Sequence, residues 1–133
     1  MNILFADNQG VVRHGTITIA KEILPTINTY EANSHHQICQ HLRNEEISML
    51  FFNTDMFEEH SSSSIGKFKS ICPTLKILLL STYTEKIFAP SLIEAGAEGF
   101  ISSNCNLSQI REAMSAFLKN GQFISAELRA EQK

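Results

Sequence analysis

The sequence predicts an α/β protein: one doubly wound sheet of five parallel strands with helices on both faces. Three observations predict it. Short apolar runs recur along the 133 residues, as in Ile3-Leu4-Phe5-Ala6, Met49-Leu50-Phe51-Phe52 and Ile77-Leu78-Leu79-Leu80. They lack the polar alternation of a half-solvated strand, so each suits a strand covered on both faces. Segments between them switch to helical spacing, and strands that alternate with helices build parallel sheets.

The elements follow in order. Asn2 to Ala6 is the first strand, cut off at Asp7-Asn8. Val12, Thr16, Ile19, Ala20 and Ile23 then lie on one helical face, and Pro25 ends that helix. Ile27 to Glu31 reads as the second strand from its β-branched and aromatic content. Ser34 with Gln37 three residues on is a capping-box pattern, and Ile38 and Leu42 give the second helix its apolar stripe. The third strand, Met49 to Phe52, stops abruptly at Asn53-Thr54-Asp55.

Glu58 to Ser64 reads as a polar loop whose four serines link and cap the next helix. That helix carries Ile65, Phe68, Ile71 and Cys72 and stops at Pro73. Lys76 to Leu80 is the fourth strand, ending at Ser81-Thr82. A helix from about Glu85 to Ala95 ends at Gly96, a left-handed cap. Pro90 would clash inside it, so regular helix is expected to begin near Ala89 or Pro90, with Thr84 to Phe88 looped. Glu98 to Ser102 holds the fifth strand. Asn106 caps a last helix with Ile110, Ala113, Met114 and Phe117 inward, ended by Asn120-Gly121.

Composition narrows the function. Hydrophobic residues make up 43%, charged residues 19%, and the net charge is −3. Lys and Arg are few and scattered, which is not a nucleic-acid footprint. There is no apolar run near the length of a membrane span, and the N-terminus lacks the basic segment and apolar core of a signal peptide. Cys39, Cys72 and Cys105 are odd in number and form no CxxC pair. A reduced, cytoplasmic protein is expected.

In open parallel sheets chemistry collects past the carboxyl ends of the strands. The residues there are Asp7 and Asn8, then Asn53, Thr54 and Asp55, then Ser81-Thr82, then Ser103-Asn104. A 2-1-3-4-5 order makes the first, third and fourth strands neighbours, so these groups converge. Taken singly, Asn53 is more often a turn residue than a site, Asp7-Asn8 at least as readily a helix cap, and Phe100 more often plain core. The first strand is followed by A-D-N-Q-G, not a G-x-G-x-x-G loop, which argues against a dinucleotide site.

Four stretches, in this order and spacing, carry a resemblance: I-L-F-A-D-N with V-V-R-H-G, M-L-F-F-N-T-D-M, K-I-L-L-L-S, and E-A-G-A-E-G-F-I. Over about residues 2 to 124 the chain resembles a response-regulator receiver domain (CheY-like), closest to the subgroup that carries a LuxR-type helix-turn-helix. The resemblance implies the flavodoxin-like 2-1-3-4-5 sheet. By motif, the acidic pair that holds Mg²⁺ in that family falls on Asp7 and Asn8, the phosphoacceptor on Asn53, the switch hydroxyl on Ser81, the switch aromatic on Phe100 and the lysine on Ser103. Thr54 and Asp55 belong to the acceptor loop, where Phe57 replaces the usual proline.

The departures fall where the chemistry is. An amide carries no charge and is a poor nucleophile for phosphoryl transfer. One carboxylate of three survives, Asp7, and Ser103 offers no cation to a phosphoryl group. The expectation is a receiver not phosphorylated at the usual position, with Mg²⁺ binding weak or absent and no catalytic residues. It would signal through a protein partner or self-association, with a sensor kinase as the partner the resemblance implies. Two alternatives stand beside it: a receiver phosphorylated at Asp55, and an unrelated flavodoxin-like binding module. Residues 125–133 are expected to be a tail or the start of a linker to a DNA-binding domain outside this chain, so no contact of this chain with nucleic acid, or with a membrane, is expected.

Overall fold

A computed structural model describes residues 1–54, 61–81, 93–102 and 105–123. Five strands form one parallel sheet: β1 (Asn2–Ala6), β2 (Asn28–Ala32), β3 (Met49–Asn53), β4 (Lys76–Ser81) and β5 (Gly99–Ser102). Among the described residues four helices accompany them: α1 (Gly10–Ile23), α2 (His35–Asn44), α3 (Ser61–Ile71) and α4 (Leu107–Asn120). The strand order is β2-β1-β3-β4-β5, every pair parallel. This is the predicted flavodoxin-like sheet.

The apolar runs do what their lack of alternation implied. All five residues of β3 are buried, and successive side chains go to opposite faces. Leu4, Leu50, Phe52, Ile77, Leu79 and Phe100 pack with Ile38 and Leu42 of α2 and with Ile65 and Phe68 of α3. Ile3, Phe5, Met49, Phe51, Leu78 and Ile101 pack on the other face with Ile17 and Ala20 of α1 and with Met114 and Phe117 of α4. Each face has its aromatic contact: Phe52 meets Phe68 edge-on at 5.4 Å, and Phe51 meets Phe117 edge-on at 5.6 Å.

Helix ends follow local chemistry. Ser34 accepts the Gln37 N–H at 3.2 Å, but the Gln37 side chain reaches Asn33 N–H, one residue short of a reciprocal box. Asn106 and Gln109 do complete that box around α4, and Gly121 closes the helix at φ 72°, ψ 13°.

Local corrections are three. The serines are no link: α3 begins at Ser61, so they form its first turn. The second strand runs one residue later than expected, because Ile27 turns into the core while Asn28 pairs with Asn2. The third strand runs one residue past Phe52, to Asn53. The expected break at Pro90 lies outside the described residues. Past α4 the chain returns to the sheet: Phe123 pairs in parallel with Gly99 and donates its N–H to Glu98 O at 3.0 Å.

Candidate functional site

The register brings the predicted groups to one end of the sheet. Ala6 lies opposite Phe52, Asn53 opposite Leu80, and Ser81 opposite Ser102. Asp7, Asn53, Thr54 and Ser81 are therefore gathered just past or at the strand ends. All four are buried, Asp7 at 4% and Asn53 at 6% exposure.

Two residues 46 apart in sequence are joined at the centre. The Asn53 Nδ2 amide donates to Asp7 Oδ2 at 2.9 Å, and this bond is buried. Asp7 Oδ1 accepts the Gln9 N–H at 2.8 Å, a turn of the chain on its own side chain. Asp7 N–H donates to Ala32 O at 3.0 Å. The Asp7 carbonyl accepts from Arg13 Nη1 at 2.6 Å, while Arg13 Nε pairs with Glu31 at 2.7 Å. Asp7 is thus held through its side chain and backbone by β2, β3 and α1.

The other expected residues divide. Thr54 Oγ1 reaches Leu80 O only at 3.5 Å, a weak bond. Asn8 is exposed and does not join the buried cluster. Phe100 is 1% exposed and packs in the core on the α2/α3 face. Asp55 and Ser103 lie outside the described residues. Behind the Asp7–Asn53 pair, toward α1 and α4, is a cavity of about 20 Å³ lined by Thr16, Leu80, Ile110 and Met114 among others, room for about one water.

Sequence reading gave no role to Arg13 or Glu31. The signal was present, since Arg13 stands within V-V-R-H-G one turn into α1, but its partner is on another strand.

The donor set matches Mg²⁺ poorly. That ion takes oxygen ligands in octahedral geometry. Here the one buried carboxylate already accepts an N–H at each oxygen, and the neighbouring side chain presents N–H to it. Among the described residues no group of three or more His, Cys, Asp or Glu could hold a metal ion, and no helix is long and apolar enough to cross a membrane.

No family model matches the chain. Solved structures match it closely in shape. The isolated REC domain of RcsB from Salmonella enterica serovar Typhimurium, solved with the phosphomimetic BeF₃⁻, superposes with a TM-score of 0.82 at 19% identity over 98% of this chain and 96% of that one. A two-component response regulator of the LuxR family from Aurantimonas superposes at 0.81 with 18% identity over 98% and 93%. The fold is that of a response-regulator receiver domain. A curated relative, the transcriptional activator protein ExaE of Pseudomonas putida, is 24% identical to this receiver-like chain over 128 residues, 96% of the chain. The chain spans about 60% of the length of the first curated relatives it matches.

Proposed function

We propose that residues 1–124 are a receiver module of a two-component response regulator whose state is not set by phosphorylation at the usual position. The observation that carries this reading is the Asn53–Asp7 hydrogen bond. The residue at the acceptor position is a neutral amide, turned as a donor onto the carboxylate that would otherwise face a metal. A group so placed supplies neither an attacking anion nor a negative charge for a metal.

The module acts through protein contact, with a partner or a second copy, in the cytoplasm. It bears on transcription through a domain outside this chain, as the receiver-and-activator relatives suggest. A sensor kinase is the upstream partner the resemblance implies.

The test is incubation with a small acyl phosphate and Mg²⁺, read as acid-labile phosphate on the intact protein by mass spectrometry. No incorporation is expected. Stoichiometric incorporation would overturn the reading, and mapping it to Asp55 would establish the alternative acceptor in its place.

A further inference from the structure

We infer that the Asn53 amide stands in for a divalent cation: it is a positioning residue that keeps the end of the sheet ordered without metal. The inference deepens the proposed reading and rests on Asn53 not being an acceptor.

Three observations carry it. Asp7 is 4% exposed, and a buried carboxylate is tolerated only with hydrogen-bond or charge compensation. That compensation is visible: Gln9 N–H on one oxygen and the Asn53 amide on the other. In the second bond the amide turns its nitrogen inward as donor and the Asp7 oxygen accepts. Finally, the bond closes the gap just past the pairing of Ala6 with Phe52. It ties the loop that leads into α1 to the end of β3.

A carboxylate at position 53 would reverse this. Two anions at that separation cannot both stay ionised and close without a cation between them. The amide removes the demand for the cation and supplies the attraction itself. Loss of acidic ligands and order of the site are then one change, not two.

The experiment is thermal unfolding of the full chain, followed by circular dichroism, in chelator and in low-millimolar Mg²⁺. The set is wild type, Asn53→Asp, Asp7→Asn and the exchanged pair Asp7→Asn with Asn53→Asp. Wild type is expected to melt at the same temperature in both solutions. Asn53→Asp should melt roughly 5–10 °C lower in chelator and recover at least half of that with Mg²⁺. The exchanged pair restores donor against acceptor with the roles swapped, so it should melt close to wild type in chelator. If Asn53→Asp fails to fold, the exchanged pair decides alone. Stabilisation of wild type by Mg²⁺, a metal-indifferent Asn53→Asp melting with wild type, or an exchanged pair that melts below Asp7→Asn would each overturn the inference. The melting experiment uses no phosphodonor; in the separate phosphodonor test, incorporation by wild type at a residue other than Asn53 would overturn the proposed function and leave this result standing.

Discussion

Among the described residues two carboxylates, Asp7 and Glu98, are largely withdrawn from water, and they are held in different ways. Glu98, just before β5, pairs with Lys69 near the end of α3 and accepts the Ile77 N–H of β4 at 2.7 Å. Asp7, at the end of β1, has backbone N–H and a neutral amide instead. Glu98 keeps a full counter-charge where the task is to join α3, β4 and β5. At the opposite end of the strands, where the receiver family puts metal and phosphate, the carboxylate has neutral partners. The difference is one of partner: Glu98 is held by a charge, Asp7 by neutral N–H donors.

The largest test of that contrast is to put the charges back into the site. Asn53→Asp alone should gain little acid-labile phosphate, since Asn8 still offers no second acidic ligand and Ser103 no cation. The triple change Asn8→Asp, Asn53→Asp, Ser103→Lys should exceed the single one by about 10² or more in rate, because a donor aimed at developing charge is typically worth that much and such groups act as a unit. The measurement is the initial rate of phosphate incorporation. Equal rates for single and triple variants would mean that Asn53 alone was the block.

The scaffold carboxylate gives the next largest effect. Lys69→Met leaves Glu98 without its cation and should cost about 1–3 kcal/mol in urea unfolding. This is less than for a fully buried pair, because the side chains are 23% and 18% exposed. Glu98→Gln keeps an acceptor for Ile77 N–H and should cost less. Adding it to Lys69→Met should return most of the loss. A double variant no better than Lys69→Met would show that packing by the lysine stem, not charge, was lost.

The smallest effect sharpens the same point with a third titratable group. His35, in the first turn of α2, packs against Phe68 at 5.0 Å, and burial together with the Lys67 charge lowers its pKa below 6.5. The folded state therefore prefers the neutral ring. Its contribution is full above about pH 6.5 and is lost as pH falls toward the lowered value in the fold. His35→Gln should flatten the fall in melting temperature between about pH 7 and pH 5 relative to wild type. An unchanged slope would remove His35 from the account.

Most of the fold was legible because the signal is local. Met49 to Phe52 can be read as a doubly covered strand without knowing its neighbours, and Asn106 caps a helix through a residue three positions on. That Asp7, Asn53 and Ser81 meet at one end of the sheet was legible for the same reason, since each stands at the end of an apolar run. What joins them was not. The Asp7–Asn53 bond spans 46 residues and the Lys69–Glu98 pair spans 29, and nothing in either local pattern names the partner. The serine run misled because Ser is ambiguous between cap and first turn, and in α3 the helix extends back through all four.

A parallel sheet exposes two rows of unpaired backbone groups, each a template for another chain. At β5 the chain covers the start of its own margin with Phe123. Gly99 makes the approach possible: a Cβ there would lie 2.5 Å from Leu78 Cδ1 and 3.1 Å from Phe123 O. At β2 the protection is chemical, with exposed Asn28 and the charged Glu31 held by Arg13. The missing side chain of Gly99 thus lets the chain shield its own margin, and a residue placed there would have to displace Leu78 and crowd Phe123 O, loosening that cover.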